Sequence, residues 1–354
     1  MTTPQRRSPL GRTADRKAVT GLPVIDVRPY IQEGSDEQRR RVAGEIRQAC
    51  ADIGFFYIVG HGFSEAECAE MLESTRSFFA LPLEQKMTVA VNESSSNLGF
   101  LRVGGLNPDA SAAKQPDLKE RLFLSRELMP GETAAESAPA GHSRWPAERV
   151  LPGFTAFVKG QIAKRIVLAR ALGRAFARSL DLPENHFDRY YDRLGCMNAL
   201  NYYPAQDVPA GAAPHWGFSP HTDYGSFTIL LQDASGGLQA RNSAGDWIDV
   251  PPIAGTFVVN IGDLMQRWTN DFYVSTLHRV VNTNAAARVS NSFFVYPDVH
   301  AEIRCLDTCQ SPEHPARYKP VVSGRYIEEL LAQAYSTGRV GISERTAERI
   351  QQSR

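Results

Sequence analysis

The segment HTDYGSFTILLQD at residues 221–233 is the most informative part of this sequence: a histidine and an aspartate are two positions apart, and an apolar run follows them. Side chains two positions apart on a β-strand point to the same face, so His221 and Asp223 can reach one metal ion together. An HxD pair alone is a weak signal, because such pairs arise by chance in many chains. The remaining ligand must come from elsewhere in the sequence.

His278, in the segment LHRV at residues 277–280, is placed at the far side of the same β-rich region and can supply the third ligand. Two imidazoles and one carboxylate on one face of an octahedron are the ligand set of non-haem Fe(II) oxygenases, and they leave three positions open. His215 competes with His221 for the metal. We interpret His215 as a loop residue at the mouth of the site, and we predict that His221, Asp223 and His278 bind the metal.

Arg288 and Ser290 follow His278 in the sequence and are again two positions apart on a predicted strand. We expect both side chains to share the face that carries His278. A buried guanidinium beside a hydroxyl is a receptor for a carboxylate, because its fork of N–H groups matches the two carboxylate oxygens. A metal with open positions next to this carboxylate receptor suits a 2-oxo acid that chelates iron at one end and whose carboxylate at the other end binds the receptor.

The sequence around these motifs predicts a mostly β fold with flanking helices. Short apolar segments from residue 198 onward are separated by Gly, Pro, Asn and Asp, a spacing typical of a sandwich or closed double sheet, with a jelly roll as the favoured version. The predicted strands are Leu22–Asp26, Phe55–Val59, Phe227–Leu231, Trp247–Val250, Phe257–Ile261, Leu277–Val281 and Arg288–Val295.

Helices are predicted on both sides of this β-rich region. Ser35–Gln38 and Ser64–Glu67 have the spacing of capping boxes, which begin helices. Apolar residues at helical spacing predict a scaffold helix from Phe154 to Leu180 and a closing helix from about Gly324 to Tyr335. Residues 92–149 are rich in Ser, Gly, Ala and Pro, and we expect a long, partly irregular connection there.

A set of motifs runs in unbroken order from about Leu22 to Tyr335. The motifs are LPVID (22–26), GFFYIVGHG (54–62), NYYP (201–204), HTDYGSFTILLQD (221–233), GGLQ (236–239), VVNIGD (258–263), HRV (278–280) and RVS (288–290). Together they resemble the iron- and 2-oxoglutarate-dependent dioxygenases of the isopenicillin N synthase-like group.

The resemblance implies a distorted double-stranded β-helix (jelly-roll) core with a helical N-terminal part packed on it. It also implies Fe(II) and 2-oxoglutarate as cofactor and cosubstrate, with O2 as the oxidant. The implied iron ligands are His221, Asp223 and His278, and the implied 2-oxoglutarate contacts are Arg288, Ser290, Tyr203 and Asn201.

We expect the chain to divide into five segments. They are a disordered tail at 1–20, an N-terminal α/β part at 21–150, the scaffold helix at 151–190, the Fe(II)/2-oxoglutarate dioxygenase core at 191–300 and a C-terminal segment with the closing helix at 301–354.

The expected activity is oxidation of a small organic metabolite with release of succinate and CO2. Hydroxylation and desaturation are the favoured outcomes. Such chemistry is typical of secondary metabolism, including antibiotic biosynthesis. The main alternative is an iron oxidase of the isopenicillin N synthase type, which has the Arg-x-Ser pair and uses no 2-oxoglutarate. A zinc hydrolase with the same ligands would leave Arg288 and Ser290 unexplained, and a non-catalytic jelly-roll module would not need three metal ligands.

The composition argues against other classes. Lys+Arg and Asp+Glu both number 39, so no basic excess indicates nucleic acid as a partner. No apolar run approaches the roughly 20 residues that span a bilayer, and we expect no membrane segment. Five cysteines at irregular positions cannot all pair, which predicts reduced thiols and a cytoplasmic location. The oligomeric state and the identity of the small-molecule substrate stay open.

Two further expectations concern side chains near the site. Trp216, Phe218 and Phe294 can line a substrate pocket, although aromatic residues in a β-rich half are more often plain core. Lys119 and Glu120 match an element in the N-terminal half of the same family. We expect them to form an ion pair at the surface or behind the site.

Overall fold

The computed structural model describes residues 10, 18–91, 98–103, 117–133, 143–206, 216–281 and 286–337. In this part of the chain two β-sheets face each other, and helices cover the outer side of the larger sheet. The strands are β1 Val24–Asp26, β2 Phe55–Val59, β3 Gly99–Leu101, β4 Glu120–Leu124, β5 Gly195–Tyr203, β6 Trp216–His221, β7 Phe227–Gln232, β8 Leu238–Arg241, β9 Trp247–Asp249, β10 Phe257–Ile261, β11 His278–Val281, β12 Arg288–Tyr296, β13 Glu302–Ile303 and β14 Val321–Val322.

The larger sheet has eight strands in the order β1-β2-β10-β7-β12-β5-β4-β3, and the smaller has four in the order β6-β11-β8-β9. Neighbouring strands within these two sheets are antiparallel, apart from the parallel pair β1 and β2. Apolar side chains from both sheets, among them Tyr203, Leu230 and Val280, form one buried cluster between them. The chain therefore folds as the β-sandwich that its short strands predict.

The N-terminal half of the chain completes the larger sheet on both sides. β1 and β2 extend it beyond β10, where Ile58 lies opposite Phe257. β4 and β3 extend it beyond β5, where Leu122 lies opposite Leu200. The stretch predicted as a long, partly irregular connection contains two strands that were not predicted, β3 at 99–101 and β4 at 120–124, and β4 pairs with a strand far away in the sequence.

The helices begin close to the predicted positions. In the helices Asp36–Asp52 (α2) and Glu65–Phe79 (α3), the N-cap serine accepts a hydrogen bond from the backbone N–H of the third helical residue, and the side chain of that residue accepts one from the backbone N–H of the serine. Both capping boxes are therefore confirmed. The helices are α1 Arg28–Ile31, α2 Asp36–Asp52, α3 Glu65–Phe79, α4 Leu83–Met87, α5 Phe154–Ser179, α6 Asp188–Tyr191, α7 Asp263–Trp268 and α8 Ser323–Thr337.

The scaffold helix α5 packs on the outer face of the larger sheet. The ring of Phe176 lies 5.0 Å from that of Phe227 on β7. Arg165 is fully buried, and its Nη1 donates to Oδ1 of Asn198 and of Asn291 over 2.8 Å and 2.7 Å. These contacts fix β5, β7 and β12 from outside, and the same three strands carry site residues on their inner face.

The five cysteines are all free and buried, as the prediction of reduced thiols requires. Among the described residues, no helix has the length and apolar character needed to cross a membrane.

Candidate metal centre

His221 and His278 are direct neighbours across two antiparallel strands. His221 ends β6, His278 begins β11, and the two residues are opposite each other in the register. Their Nε2 atoms lie 3.8 Å and 3.7 Å from Oδ1 of Asp223. All three side chains are buried, and their candidate ligand atoms lie within 4.8 Å of one another. Two imidazole nitrogens and one carboxylate oxygen that converge in this way fit the facial ligand set of non-haem Fe(II).

Asp223 reaches this position from a turn and not from a strand. β6 ends at His221, two residues before Asp223, so the alternation of side chains along a strand does not explain why Asp223 lies beside His221. The turn is tied to the start of α7, where the backbone N–H of Asp263 donates to the carbonyl of Asp223 over 2.8 Å. Oδ2 of Asp223 accepts hydrogen bonds from Thr228 Oγ1 and from Asn260 Nδ2, the latter over 2.7 Å. These two donors hold Oδ2 and leave Oδ1 facing the imidazoles.

Both imidazoles are oriented by backbone carbonyls. Nδ1 of His221 lies 2.8 Å from the carbonyl of Ser219, and Nδ1 of His278 lies 3.0 Å from that of Thr276. Because a carbonyl oxygen only accepts, each Nδ1 carries the hydrogen, and each Nε2 presents its lone pair. Burial, with His278 as the second cause, lowers the pKa of His221 well below its usual value, which keeps the ring in the neutral, metal-binding form.

Arg288 lies across the pocket from the three candidate metal ligands. The expectation that it shares a face with His278 is wrong, since β12 belongs to the larger sheet and β11 to the smaller. Nε of Arg288 donates to the carbonyl of Gly236 over 2.7 Å, and Nη2 donates to Oε1 of Gln232 over 3.3 Å. Nη1 is buried and makes no hydrogen bond. An unsatisfied buried N–H costs about 1–3 kcal/mol, so a carboxylate of 2-oxoglutarate fits here.

The other predicted cosubstrate contacts stand beside Arg288. Tyr203 is opposite Arg288 in the register of β5 and β12, and its ring centre lies 4.8 Å from the guanidinium carbon. Asn201 is opposite Ser290, and its Nδ2 donates to Oγ of Ser290 over 3.4 Å. These four side chains line the same pocket as the three candidate metal ligands.

The sequence motifs missed Arg121 on β4, which also lines this pocket. Its Nε donates to Oδ1 of Asn201 over 3.0 Å. Lys119 and Glu120 each form an ion pair, but not with each other. Lys119 pairs with Asp117 at 3.3 Å, and Glu120 pairs with a lysine of α4 at 2.6 Å. The alternation of Arg121 and Phe123 was a possible signal of a strand, but the Gly- and Ser-rich surroundings obscured it.

The predicted aromatic residues separate into two groups. Phe218 and Phe294 line the pocket, and the Phe218 ring stacks on His221 with 3.6 Å between ring centres. Trp216 lies instead against Arg279, whose guanidinium carbon is 4.8 Å from its ring. His215 lies outside the described residues, so its predicted position at the mouth of the site stays a prediction.

Comparison with known proteins identifies the family. The family model of the 2OG-Fe(II) oxygenase superfamily matches residues 194–297, and that of the non-haem dioxygenase in morphine synthesis N-terminal region matches residues 22–148. The chain is 35% identical over 344 residues to a 2-oxoglutarate-Fe(II) type oxidoreductase of Metarhizium majus, across 92% of this chain and 90% of that protein. It is 31% identical over 321 residues to a homoarginine-6-hydroxylase of Oryza sativa subsp. japonica, across 88% and 96%.

Solved structures share the fold. A full-length Neurospora crassa protein, in complex with alpha-KG and thymine, matches with a TM-score of 0.79 at 28% identity, across 89% of this chain and 97% of that one. JOX2 in complex with 2OG, Fe and JA matches with a TM-score of 0.72 at 30% identity, across 90% and 87%. The predicted double-stranded β-helix core is thereby confirmed.

The Metarhizium majus relative and the superfamily model are both named for 2-oxoglutarate and Fe(II), so they do not favour an iron oxidase without 2-oxoglutarate, a zinc hydrolase or a binding module. The chain matches them along nearly its whole length and in fold, and its pocket offers three candidate metal ligands opposite an arginine with an unused buried N–H. The chain belongs to the 2OG-Fe(II) oxygenase superfamily, and it is an oxidoreductase that uses Fe²⁺, 2-oxoglutarate and O2 to oxidise a small metabolite.

Proposed function

We propose that His221, Asp223 and His278 bind the catalytic iron and that Arg288, with Ser290, binds the distal carboxylate of 2-oxoglutarate. The observation that carries this assignment is the buried Nη1 of Arg288, which makes no hydrogen bond within the protein. A carboxylate that bridges this N–H and the hydroxyl of Ser290 would satisfy both. Asn201 and Tyr203 are proposed to orient the cosubstrate, since they lie opposite Ser290 and Arg288, respectively, on the neighbouring strand.

Bound iron and 2-oxoglutarate supply an oxidant made from O2, with succinate and CO2 as co-products. The protein's own residues hold and orient the reactants. Thr228 and Asn260 fix the carboxylate of Asp223, and the carbonyls of Ser219 and Thr276 fix the two imidazoles. Phe218, Phe294 and the neighbouring apolar side chains keep water away from the reacting C–H group.

The proposed reaction is hydroxylation or desaturation of a small organic molecule. Relatives support the small-molecule size, since one is named a homoarginine-6-hydroxylase and two structures are complexes with thymine and with JA. A role in secondary metabolism is part of the proposal, supported by the likeness to the Metarhizium majus oxidoreductase. Five free, buried cysteines support a reducing location such as the cytoplasm. We also retain the division into an N-terminal part at 21–150 and a dioxygenase core at 191–300 as a proposal.

Anaerobic addition of Fe(II) and 2-oxoglutarate tests the assignment. A metal-to-keto-acid charge-transfer band in the visible region is expected only when both are present. The matched control is Zn(II) with 2-oxoglutarate, which gives no such band. Absence of the band with Fe(II), or a band that persists in Asp223→Ala, would contradict the proposed site.

A further inference from the structure

A short segment at residues 117–119 covers the edge of β6, the strand that ends at His221, and the proposed function does not use this segment. β6 is the edge strand of the smaller sheet, so one side of its backbone pairs with no strand among the described residues. The backbone N–H of Leu118 donates to the carbonyl of Trp216 at the start of β6 over 2.9 Å. The segment therefore takes a place beside β6 that a further strand would otherwise take.

The segment also contacts β6 where that strand is irregular. Between the residues paired with His278 and Val280, β6 has two residues, Ser219 and Pro220, where β11 has one. Such a bulge bends the strand and redirects the side chains beside it. The backbone N–H of Ser219 donates to Oδ1 of Asp117 over 2.8 Å. The bulged residue thus takes a hydrogen-bond acceptor from a point 102 positions away in the sequence.

The same bulged residue orients the ring of His221. The carbonyl of Ser219 accepts from Nδ1 of His221 over 2.8 Å, while its N–H donates to Asp117. Both groups are bonded to one α-carbon, so a displacement of the N–H also displaces the carbonyl that fixes the ring. Asp117 is therefore connected to a proposed iron ligand through a single residue.

The carboxylate of Asp117 is itself fixed by a cation. Its Oδ2 accepts from Nζ of Lys119 over 3.3 Å, and the side chains of Asp117 and Lys119 are 18% and 9% exposed. The chain then continues directly into β4, where Glu120 is opposite Tyr202 of the larger sheet. The support of His221 thus reaches from the smaller sheet, which holds the histidine, to the larger one.

We propose that Asp117 is a positioning residue for the metal centre, and that it holds the bulge of β6 so that His221 faces the other two proposed ligands. This inference rests on the proposed function, which assigns His221 to iron. Lys119 keeps the carboxylate in place and offsets its charge, so the pair is neutral beside a site that receives a divalent cation. Residues that orient a metal ligand typically contribute about 10–100-fold to metal affinity.

Two double variants isolate the acceptor at residue 117. Lys119→Met with Asp117→Asn keeps an acceptor oxygen, whereas Lys119→Met with Asp117→Leu has a side chain of the same branched shape without one. Both remove the ion pair as a neutral unit, so the charge near the iron is the same in the two proteins. Anaerobic titration measures Fe(II) affinity, and circular dichroism gives the thermal midpoint of the metal-free proteins. We expect the asparagine form to bind Fe(II) nearly as wild type does and the leucine form to bind it about 10–100-fold more weakly.

The matched control is Asp298, which has the same kind of contacts. Its Oδ1 accepts the backbone N–H of His300 over 2.9 Å, and its Oδ2 pairs with Arg193 at 2.9 Å. Its side chain is 15% exposed, close to the 18% of Asp117. Arg193→Met with Asp298→Asn and Arg193→Met with Asp298→Leu should differ in thermal midpoint and not in Fe(II) affinity.

Equal Fe(II) affinity in the two Asp117 variants would overturn the inference, and so would an equally large difference between the two Asp298 variants. If the leucine form does not fold, Asp117→Ala in the same background also lacks the acceptor, and the same loss is expected of it. His221→Ala separates the two levels of the proposal. If that variant keeps its iron, the proposed function and this inference both fail. If it loses its iron while the two Asp117 variants bind Fe(II) equally, only the positioning role of Asp117 is wrong.

Discussion

Asn260 donates a hydrogen bond from Nδ2 to Oδ2 of Asp223 over 2.7 Å, so a strand inside the larger sheet holds the carboxylate that faces the two imidazoles. β10 lies between β2 and β7, and Asn260 itself is 3% exposed. The position of the proposed anionic ligand is thus set by the sheet and not only by its own turn. This relationship makes the proposed metal site sensitive to residues that are not proposed as metal ligands.

Replacing Asn260 with Ala should therefore weaken iron binding. The carboxylate of Asp223 would keep the hydrogen bond from Thr228 but would lose its second fixed donor. Loss of such a supporting hydrogen bond typically costs about 10–100-fold in metal affinity. An anaerobic Fe(II) titration measures the change, and Asn260→Asp, which places a second carboxylate there, separates the lost donor from a changed charge. An unchanged affinity in Asn260→Ala would show that Thr228 alone positions Asp223.

Asp223→Ala should abolish iron binding and turnover while the fold survives. The substitution removes the one anionic ligand and leaves two neutral imidazoles to offset a divalent charge. The apolar cluster between the sheets does not involve Asp223, so circular dichroism and the thermal midpoint should change little. Metal analysis of the purified protein gives the result, and His215→Ala, which changes the competing histidine, should retain iron. Substantial activity of Asp223→Ala under saturating Fe(II) is incompatible with the triad.

Arg288→Met should raise the concentration of 2-oxoglutarate needed for half-maximal turnover. Removing one partner of a buried charged pair costs about 2–5 kcal/mol, which corresponds to roughly a 30- to several-thousand-fold loss of affinity. Iron binding should stay intact, since Arg288 lies on the opposite sheet from the two histidines. The control is 2-oxobutanoate, which lacks the distal carboxylate and should lose far less between wild type and variant. Identical 2-oxoglutarate dependence in both proteins would remove the assignment.

Glu132→Gln should destabilise the segment that follows β4. Glu132 forms a two-pronged ion pair with Arg126 at 2.6 Å and 2.9 Å, and both side chains are less than 10% exposed. Leaving the Arg126 charge without its partner should lower the free energy of unfolding by about 3 kcal/mol at pH 7. Hydrogen bonds from Arg126 hold the pKa of Glu132 below its usual range, so its stabilisation is complete above about pH 4.3 and fades as the pH falls through the folded pKa. Urea unfolding of both proteins should show a difference that shrinks in acid.

Much of the candidate site could be predicted from the sequence because the motifs that form it are short and local. The histidines of HTD and HRV, and the pair in RVS, are each identified by their immediate neighbours, and the capping boxes of α2 and α3 depend on residues three positions apart. Local patterns could not show that Asp223 lies beyond the end of β6, or that β11 and β12 belong to different sheets. Both facts depend on how the chain reverses between strands.

Arg121 is the clearest example of a pocket residue that the sequence patterns did not indicate. β4 is five residues long and stands in a stretch of Gly, Ser, Ala and Pro, so its short apolar run did not indicate a strand. The hydrogen bond that places Arg121 in the pocket goes to Asn201, which is 80 residues away in the sequence. Information of this kind arises from the pairing of distant strands, and a single sequence read by periodicity does not contain it.

The long sequence separation between paired strands of the larger sheet also affects how the chain folds during its synthesis. β2 pairs with β10, and the nearby contact of His61 with the carbonyl of Gly255 joins residues 194 positions apart. At a synthesis rate of about 5–20 residues per second, β2 would wait roughly 10–40 s for its partner to leave the ribosome. During that interval the strand Phe55–Val59, almost wholly apolar, has an unpaired edge, which is the condition under which chains aggregate. Chaperone demand and expression temperature should therefore matter more for the yield of this oxygenase than the stability of its finished fold.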